Sequence, residues 1–380
     1  MGFGEALIVW ALTGLAVAGV GYTVLASLLV RGFFPSRPHA RTSWPGVTLL
    51  KPLYLDEPGL EANLSSFFQQ DYEGPIQIIF GVHGRSDPAL RIARSLCKSF
   101  PEHDVKFIID PSFTGLNPKI ANLINMQRHA RHQILIASDS DISVPTDYVR
   151  TIVAELSRPN VGAVTCMYRG KPIKKIWSDL EAMYIDYSFL PNVAVGTVSR
   201  LARPCFGSTI ALRQNVLHEI GGFEAISRHL ADDYEIGRAV RSKGYDVRIS
   251  SVVVDHSCSE VGLASLVHHE LRWAKTVRVV NGPGHLGSVV THAFPLALIA
   301  AAVQGFTLPA FLVVASALAA RFLLAWRIRR AMGSHVASLW LLPARDMLSF
   351  GIFLASFFGN SVYWRGTRYL TTANGVLAQQ

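Results

Sequence analysis

Three stretches of this 380-residue chain carry acids or bases at spacings that can do chemistry. The first is Asp139-Ser140-Asp141, at the end of the apolar run "QILIA". In an extended segment residues i and i+2 share a side, so both carboxylates can approach one ligand, such as a divalent cation bridging two phosphates. A turn that merely ends a strand is the plainer meaning of such a pair. The second stretch, "HLADDYEIGRAV", sets Asp232 beside Asp233. Asp232 reads as a helix N-cap with Glu235 at capping-box spacing, and Ile236, Ala239 and Val240 bury the helix that follows. Asp233 then falls at the first helical position with its carboxylate free. The helix N-terminus should keep it ionised and able to accept a proton. The third stretch, "HHELRWAKTVR", repeats Arg272, Lys275 and Arg278 every three residues beside Trp273. It reads either as a solvated or lipid-facing basic face or as a cationic clamp for a departing diphosphate. Lys119, in "GLNPKIANL", is a further candidate phosphate contact, while Asp56, Glu57 and Asp87 stand just past strands where a ligand could meet them.

The elements that must hold these residues follow from the apolar pattern. "GVTLLKPLYL", "IQIIFGVHG", "VKFIID" and "QILIASDSDI" read as buried strands, with amphipathic helices between them. That alternation implies an α/β domain with a mostly parallel sheet covered on both faces. Ligands of such sheets bind beyond the carboxyl ends of the strands, where Asp139 and Asp141 lie. Half of the residues are hydrophobic and only 17% are charged, so membrane segments are expected as well. Ala6 to Val30 is free of charge and long enough to span a bilayer. It is too long for a signal-peptide core, and Arg31, Arg37 and Arg41 follow it, which puts the next region in the cytoplasm. Val289 to Trp326 is long enough for two spans, broken near "GFTLP". Val336 to Phe358 is interrupted by Arg345 and Asp346 and reads as a re-entrant or interfacial hairpin, with Arg365 and Arg368 beyond it. The domains are thus residues 1–36 (membrane helix and linker), 37–284 (soluble α/β domain) and 285–380 (membrane region).

A formal charge of +9 calls for an anionic partner: nucleic acid, a phosphate-bearing substrate or acidic lipid. The basic residues are spread through juxtamembrane positions without a nucleic-acid motif, so no nucleic-acid partner is expected. Cys97, Cys166, Cys205 and Cys258 have no CxxC spacing and read as core residues of a reducing compartment. Walker, GxSxG and HExxH motifs are missing.

Taken in order, "LLKPLYLDEP", "SDP", "NPKIANL", "DSDI", "ADDY" and "HELRW" resemble the signature of a family-2-type glycosyltransferase of GT-A fold. More closely they resemble the ceramide glucosyltransferase family, glycosyltransferase family 21. "TCMYRG", "WSDLEAMYIDYSFLPNV" and "ARPCFGSTIAL" look most like the bacterial hopanoid-biosynthesis members, which use UDP-N-acetylglucosamine and bacteriohopanetetrol. The resemblance implies that Asp139 and Asp141 hold Mg²⁺ or Mn²⁺ on a UDP diphosphate and that Asp233 is the general base. It further implies that Asp87, Lys119, His269, Arg272 and Trp273 serve the nucleotide sugar. Asp232, Trp273 and Tyr187 would serve the acceptor or support the base. The segment with Trp177, Tyr184, Tyr187, Phe189 and Leu190 then rests on the bilayer and frames a lipid entrance, unless it is ordinary helix packing. His269 stands where the family has Gln or Arg. The partners implied are a UDP-sugar, a lipid acceptor and the bilayer. The implied place is the bacterial inner membrane, multi-pass, with the catalytic domain facing the cytoplasm. A ceramide glucosyltransferase using UDP-glucose, a processive polysaccharide synthase and a non-catalytic nucleotide-sugar sensor are the competing readings.

Overall fold

In the computed structural model of the chain, which describes residues 3–34, 43–173, 176–359, 361–364, 367–371 and 375–379, the apolar runs become eight strands of one sheet. They are β1 (Val47–Pro52), β2 (Ile76–Val82), β3 (Asp104–Ile109), β4 (Ile134–Ala137), β5 (Ile142–Ser143), β6 (Val161–Pro172), β7 (Ile210–Arg213) and β8 (Asp246–Cys258), in the order β3-β2-β1-β4-β7-β6-β8-β5. The first four neighbours pair in parallel, and β7 joins both β4 and β6 antiparallel, as β5 joins β8. β1 is buried at every position, as a strand covered on both faces must be. The period of two sorts its neighbours: Leu49, Ile78 and Ile136 enter one apolar layer, and Leu50, Ile79 and Leu135 enter the other. Helices Leu60–Phe68, Pro88–Cys97 and Tyr148–Leu156 supply the first layer; Pro118–Gln127, Gln214–Glu219 and Asp232–Ser242 supply the second.

The chain forms two compact units that cut across the sequence boundaries at 36/37 and 284/285. The sheet unit comprises Phe34–Arg169, Arg203–Ser259 and Leu370–Gln380. The other comprises Met1–Phe33, Gly170–Ala202 and Glu260–Tyr369, so it holds the aromatic segment and the "HELRW" helix together with the apolar helices. Two of its helices are long and apolar enough to cross a membrane: Leu7–Phe33 and Leu308–Met332. The expected first span of the Val289–Trp326 region holds a helix of 11 residues, Ala293–Val303, bent by 62° from the helical stretch Gly282–Thr291 before it. The pair passes as a span only if counted together. Helix contact in this unit is close because small residues meet: a Cβ on Gly19 would lie 2.5 Å from the Val290 carbonyl oxygen and 2.8 Å from Ala293.

Within the expected hairpin, residues Leu342–Ala355 form one helix, and its charges explain why. Arg345 makes a two-pronged pair with Glu270 of helix Leu263–Val280, one contact being 2.8 Å, and also meets Ser349. Asp346 takes a two-pronged pair from Arg321 at 2.6 and 2.8 Å. The adjacent charges have partners on other helices, so the helix need not break between them. Arg37, Arg41 and Arg365 lie outside the described residues.

Candidate active site

Two loops build the site in the sheet unit, and each is fastened by its own sequence. Asn117 caps helix Pro118–Gln127, accepting from the N–H groups of Lys119 and Ile120, with Pro118 at the first helical position. The loop before it runs against residue 227: Leu116 and Asn117 donate their N–H to the Ser227 carbonyl. Gly115 has φ +80° there, and a Cβ on it would lie 2.3 Å from that carbonyl oxygen. Asn117 then spends its amide on the second loop, donating to the His229 carbonyl at 2.9 Å and to Asp232 at 3.3 Å. Lys119, one position into the helix, is thereby aimed at the acids.

Three expected site residues converge on that ammonium. Lys119 Nζ lies 2.7 Å from Asp139 Oδ1 and 3.4 Å from Asp232 Oδ2. Asp233 sits beside them, accepting from the N–H of Gly207 at 2.9 Å and of Tyr234 at 2.7 Å. Gly207 is the floor. A Cβ there would stand 2.9 Å from Lys119 Nζ, 3.1 Å from Asp139 Oδ2 and 3.6 Å from Asp233 Oδ2. One lysine therefore faces three carboxylates around a bare glycine. Burial pulls the Lys119 ammonium down, but Asp139, Asp232 and Asp233 outweigh it and leave it raised. Burial, against the pull of Lys119, leaves the Asp139 carboxyl raised.

Two expectations for the aspartate pair need correction. Asp232 is not the cap: the helix runs Asp232–Ser242, its N-cap is Ala231, and no side chain caps it. Tertiary partners won, because Asn117 and Lys119 claim the Asp232 carboxylate. Nor is Asp233 free and strongly ionised by the helix terminus. Burial, then Asp232, push its carboxyl up to about 6, against Lys119 and the two N–H donors.

Asp139 and Asp141 do not continue an extended strand either. β4 ends at Ala137, and the Ile142 N–H reaches back to the Asp139 carbonyl, closing a turn. Asp141 Oδ2 meets His256 Nε2 on β8 at 3.2 Å, while its Oδ1 is buried without a hydrogen bond. Burial alone would raise Asp141; the His256 imidazole, with Lys51 and Lys119, outweighs it and brings the carboxyl down to about 2. The residue between them is held too, since Ser140 donates its hydroxyl to Glu57 at 2.5 Å.

The sequence reading missed Lys51, Asn117, Gly207 and His256. Lys51 is fully buried at the end of β1, donating to the Asp139 carbonyl at 2.5 Å and lying 3.8 Å over the Phe67 ring. Burial pulls its ammonium down to about 7, against the upward pull of Asp139, Asp141 and Glu57. A lysine inside an apolar strand was the available signal. Asp87, by contrast, is used structurally: it caps helix Pro88–Cys97 through the Ala89 N–H and holds the Leu55 N–H at 3.0 Å.

A hard divalent cation fits this donor set. The acids outnumber the ammonium, one buried carboxylate oxygen of Asp141 has no donor, and glycine keeps the floor bare. Asp139 and Asp141 are the residues that would hold it.

The other unit holds the rest of the expected site residues. His269 Nδ1 lies 2.9 Å from Glu260 and 3.5 Å from Glu181, and its ring meets Trp273 edge-on at 4.4 Å. Trp273 in turn stacks at 6.0 Å on Tyr184. The basic stripe is largely spent on the backbone: Lys275 donates to the Ser361 carbonyl and Arg278 to the Gly359 carbonyl. Tyr187, expected near an acceptor, is fully buried with its hydroxyl 3.2 Å from Ser334. Its segment contains a π-turn, Ile185–Phe189, whose Asp186 takes the Gly170 N–H and the Ser334 hydroxyl. Helix packing, not membrane contact, accounts for Tyr187. The four cysteines are free, and three of them are buried.

The family model described as "Glycosyl transferase family 21" matches residues 11–377. The chain is 28% identical over 233 residues to ceramide glucosyltransferase 1 of Caenorhabditis elegans, covering 61% of this chain and 49% of that protein. It is 28% identical over 235 residues to ceramide glucosyltransferase 3 of the same organism, covering 62% and 51%. The chain thus spans about half the length of these relatives. Among solved structures, a mannosyltransferase from Pyrobaculum calidifontis in complex with GDP-Man and Mn²⁺ aligns with a TM-score of 0.51 at 18% identity, over 91% of this chain and 99% of that one. That likeness shows a shared GT-A fold.

Proposed function

The chain belongs to glycosyl transferase family 21, and from that premise we propose that it transfers a sugar from a UDP-sugar to the hydroxyl of a membrane lipid. The observation that carries the proposal is Asp233: a buried carboxyl brought up to about 6, beside a lysine that faces an excess of carboxylates. A base works best with a pKa near the working pH, and this one is ionised at neutrality yet still basic. Asp139 and Asp141 would hold Mg²⁺ or Mn²⁺, which would supply positive charge to offset that of the donor diphosphate. Asp233 accepts the proton of the lipid hydroxyl through Oδ2 or Oδ1 while the Gly207 and Tyr234 N–H groups hold its orientation. The lipid oxygen bonds to the anomeric carbon as the bond to UDP breaks on the opposite face, so an α-linked donor yields a β-glycoside. Lys119 fixes Asp139 and Asp232 throughout.

The two apolar helices suit an acceptor that stays in the bilayer, and Arg31 in the last turn of the first favours a cytoplasmic sheet unit in a multi-pass protein. Two acceptors are supported by different observations. The "TCMYRG" and "ARPCFGSTIAL" stretches favour a hopanoid, bacteriohopanetetrol, with UDP-N-acetylglucosamine. The Caenorhabditis relatives, both ceramide glucosyltransferases, favour ceramide with UDP-glucose. The test is incubation of the protein in lipid nanodiscs with each donor, each acceptor and Mn²⁺, followed by mass spectrometry of the lipids. An N-acetylhexosamine added to bacteriohopanetetrol is the expected product. A hexose on ceramide transfers the assignment to the second reading, and unmodified lipids in all four combinations remove both. Arg272→Ala tests the donor-side role drawn from the resemblance: KM for the UDP-sugar should rise.

A further inference from the structure

Glu181, Glu260 and His269 come from three separate elements: helix Ile176–Tyr184, the turn after β8, and helix Leu263–Val280. One ligand atom from each lies within 4.8 Å of the other two. His269 Nδ1 stands 2.9 Å from Glu260 Oε1 and 3.5 Å from Glu181 Oε1. Two ligands of a tetrahedral zinc ion, each about 2.0–2.1 Å from the metal, stand about 3.3 Å apart. The observed spacing brackets that value. An imidazole Nδ1 carries at most one proton, so it cannot donate fully to both carboxylates at once.

The surroundings hold the three groups in place as outer contacts hold metal ligands. Glu181 is almost wholly buried, and its Oε2 accepts the Glu260 N–H at 3.4 Å, which turns Oε1 toward the imidazole. Ser178 donates to the Glu260 carbonyl at 3.2 Å, tying that turn to the Glu181 helix. Trp273 fixes the plane of the His269 ring from its edge. None of these groups belongs to the Asp139 and Asp141 set.

We propose that Glu181, Glu260 and His269 form a binding site for one divalent transition-metal ion of the zinc class. One imidazole nitrogen with two carboxylate oxygens is a borderline donor set that zinc accepts and magnesium disfavours, and three protein ligands leave a fourth position open. The site joins helix Ile176–Tyr184 to the stretch carrying Glu260 and His269, 79 residues on from Glu181 at its nearer end, so metal there stabilises the fold that brings the two together.

The test needs no turnover and does not rest on the proposed reaction. The full chain in detergent is stripped with a chelator, dialysed into millimolar Mg²⁺ to supply the hard-oxygen acids, and titrated with Zn²⁺. Bound zinc per chain is measured by elemental analysis, and the Tm is recorded in parallel. The parent and the Asp139→Asn/Asp141→Asn double variant should each bind one zinc ion and melt higher with it. Glu260→Gln and His269→Ala should bind zinc at least about tenfold more weakly and lose the Tm response. Glu260 and His269 are both partly exposed, so their variants keep the test open if Glu181→Gln does not fold. Zinc binding and a Tm rise that survive unchanged in both variants would overturn the proposal. So would a folded parent that binds no zinc.

Discussion

Around Arg345 and Glu270 each charge is matched, whereas around Lys119 three carboxylates share one ammonium. In the first region two arginines meet two acids, each pair through two contacts, and Ser349 and the Tyr187 carbonyl take further guanidinium donors. In the second, Asp139, Asp232 and Asp233 crowd Lys119 and repel one another, and Gly207 adds no side chain to separate them. Burial costs charge dearly in both places. The first region offsets the cost with neutrality, which is what a structural ion pair requires. The second leaves it outstanding, and that imbalance is what the proposed handling of a cation and a proton draws on. Balance separates scaffold from site more sharply than burial does.

The contrast can be broken first at Asp233. Asp233→Asn should lower the transfer rate by about 10²–10⁴-fold, the usual worth of a general base, with UDP-sugar binding kept. Its Tm should hold or rise, because a carboxylate disfavoured by burial has been removed. Turnover within tenfold of the parent takes the base role from Asp233. Arg345→Met should behave the other way round. Leaving Glu270 buried and unpaired costs about 3–5 kcal/mol of stability, read as a lower midpoint in denaturant, while kcat/KM per folded molecule stays near the parent. An Arg345→Met protein that melts normally but fails to turn over would erase the distinction between the regions.

A subtler difference is expected at Lys119. Lys119→Met removes the ammonium that faces Asp139, Asp232 and Asp233, so the Tm of the metal-free protein should drop by several degrees, and Mn²⁺ should restore much of it. A drop that Mn²⁺ leaves untouched would mean the carboxylates are not a cation site. The smallest effect is the acid limb of the rate. Asp233 is protonated below about pH 6 and cannot accept the lipid proton, so kcat/KM should rise with pH through about 6, or somewhat lower once a cation draws the midpoint down. A rate that falls between pH 5 and 7 would cast the group as an acid instead.

The strand and helix alternation was legible because runs such as "VTLLKP" and "IQIIFGV" are continuous, apolar and bounded by turn residues. The acids at the end of β4 were legible for the same reason, since the strand points at them. What misled was local pattern with a distant competitor. Asp232 has capping-box spacing, yet Asn117, 115 residues away, takes its carboxylate. Arg345 and Asp346 looked like a break in an apolar run, but their partners lie 75 and 25 residues upstream. Gly207 and His256 carry no local signal, because their importance comes from what folding lays against them.

Those upstream partners bear on how the protein is made. A segment with an arginine and an aspartate side by side is a poor candidate to enter the bilayer alone. Glu270 and Arg321 leave the ribosome before it does, so when Leu342–Ala355 emerges its counter-charges are already synthesised. We therefore expect this helix to join the fold by docking onto an assembled receiver rather than by entering the bilayer alone. A chain that loses either receiver residue should stall at that step and meet the membrane's quality-control proteases, before catalysis is ever at issue.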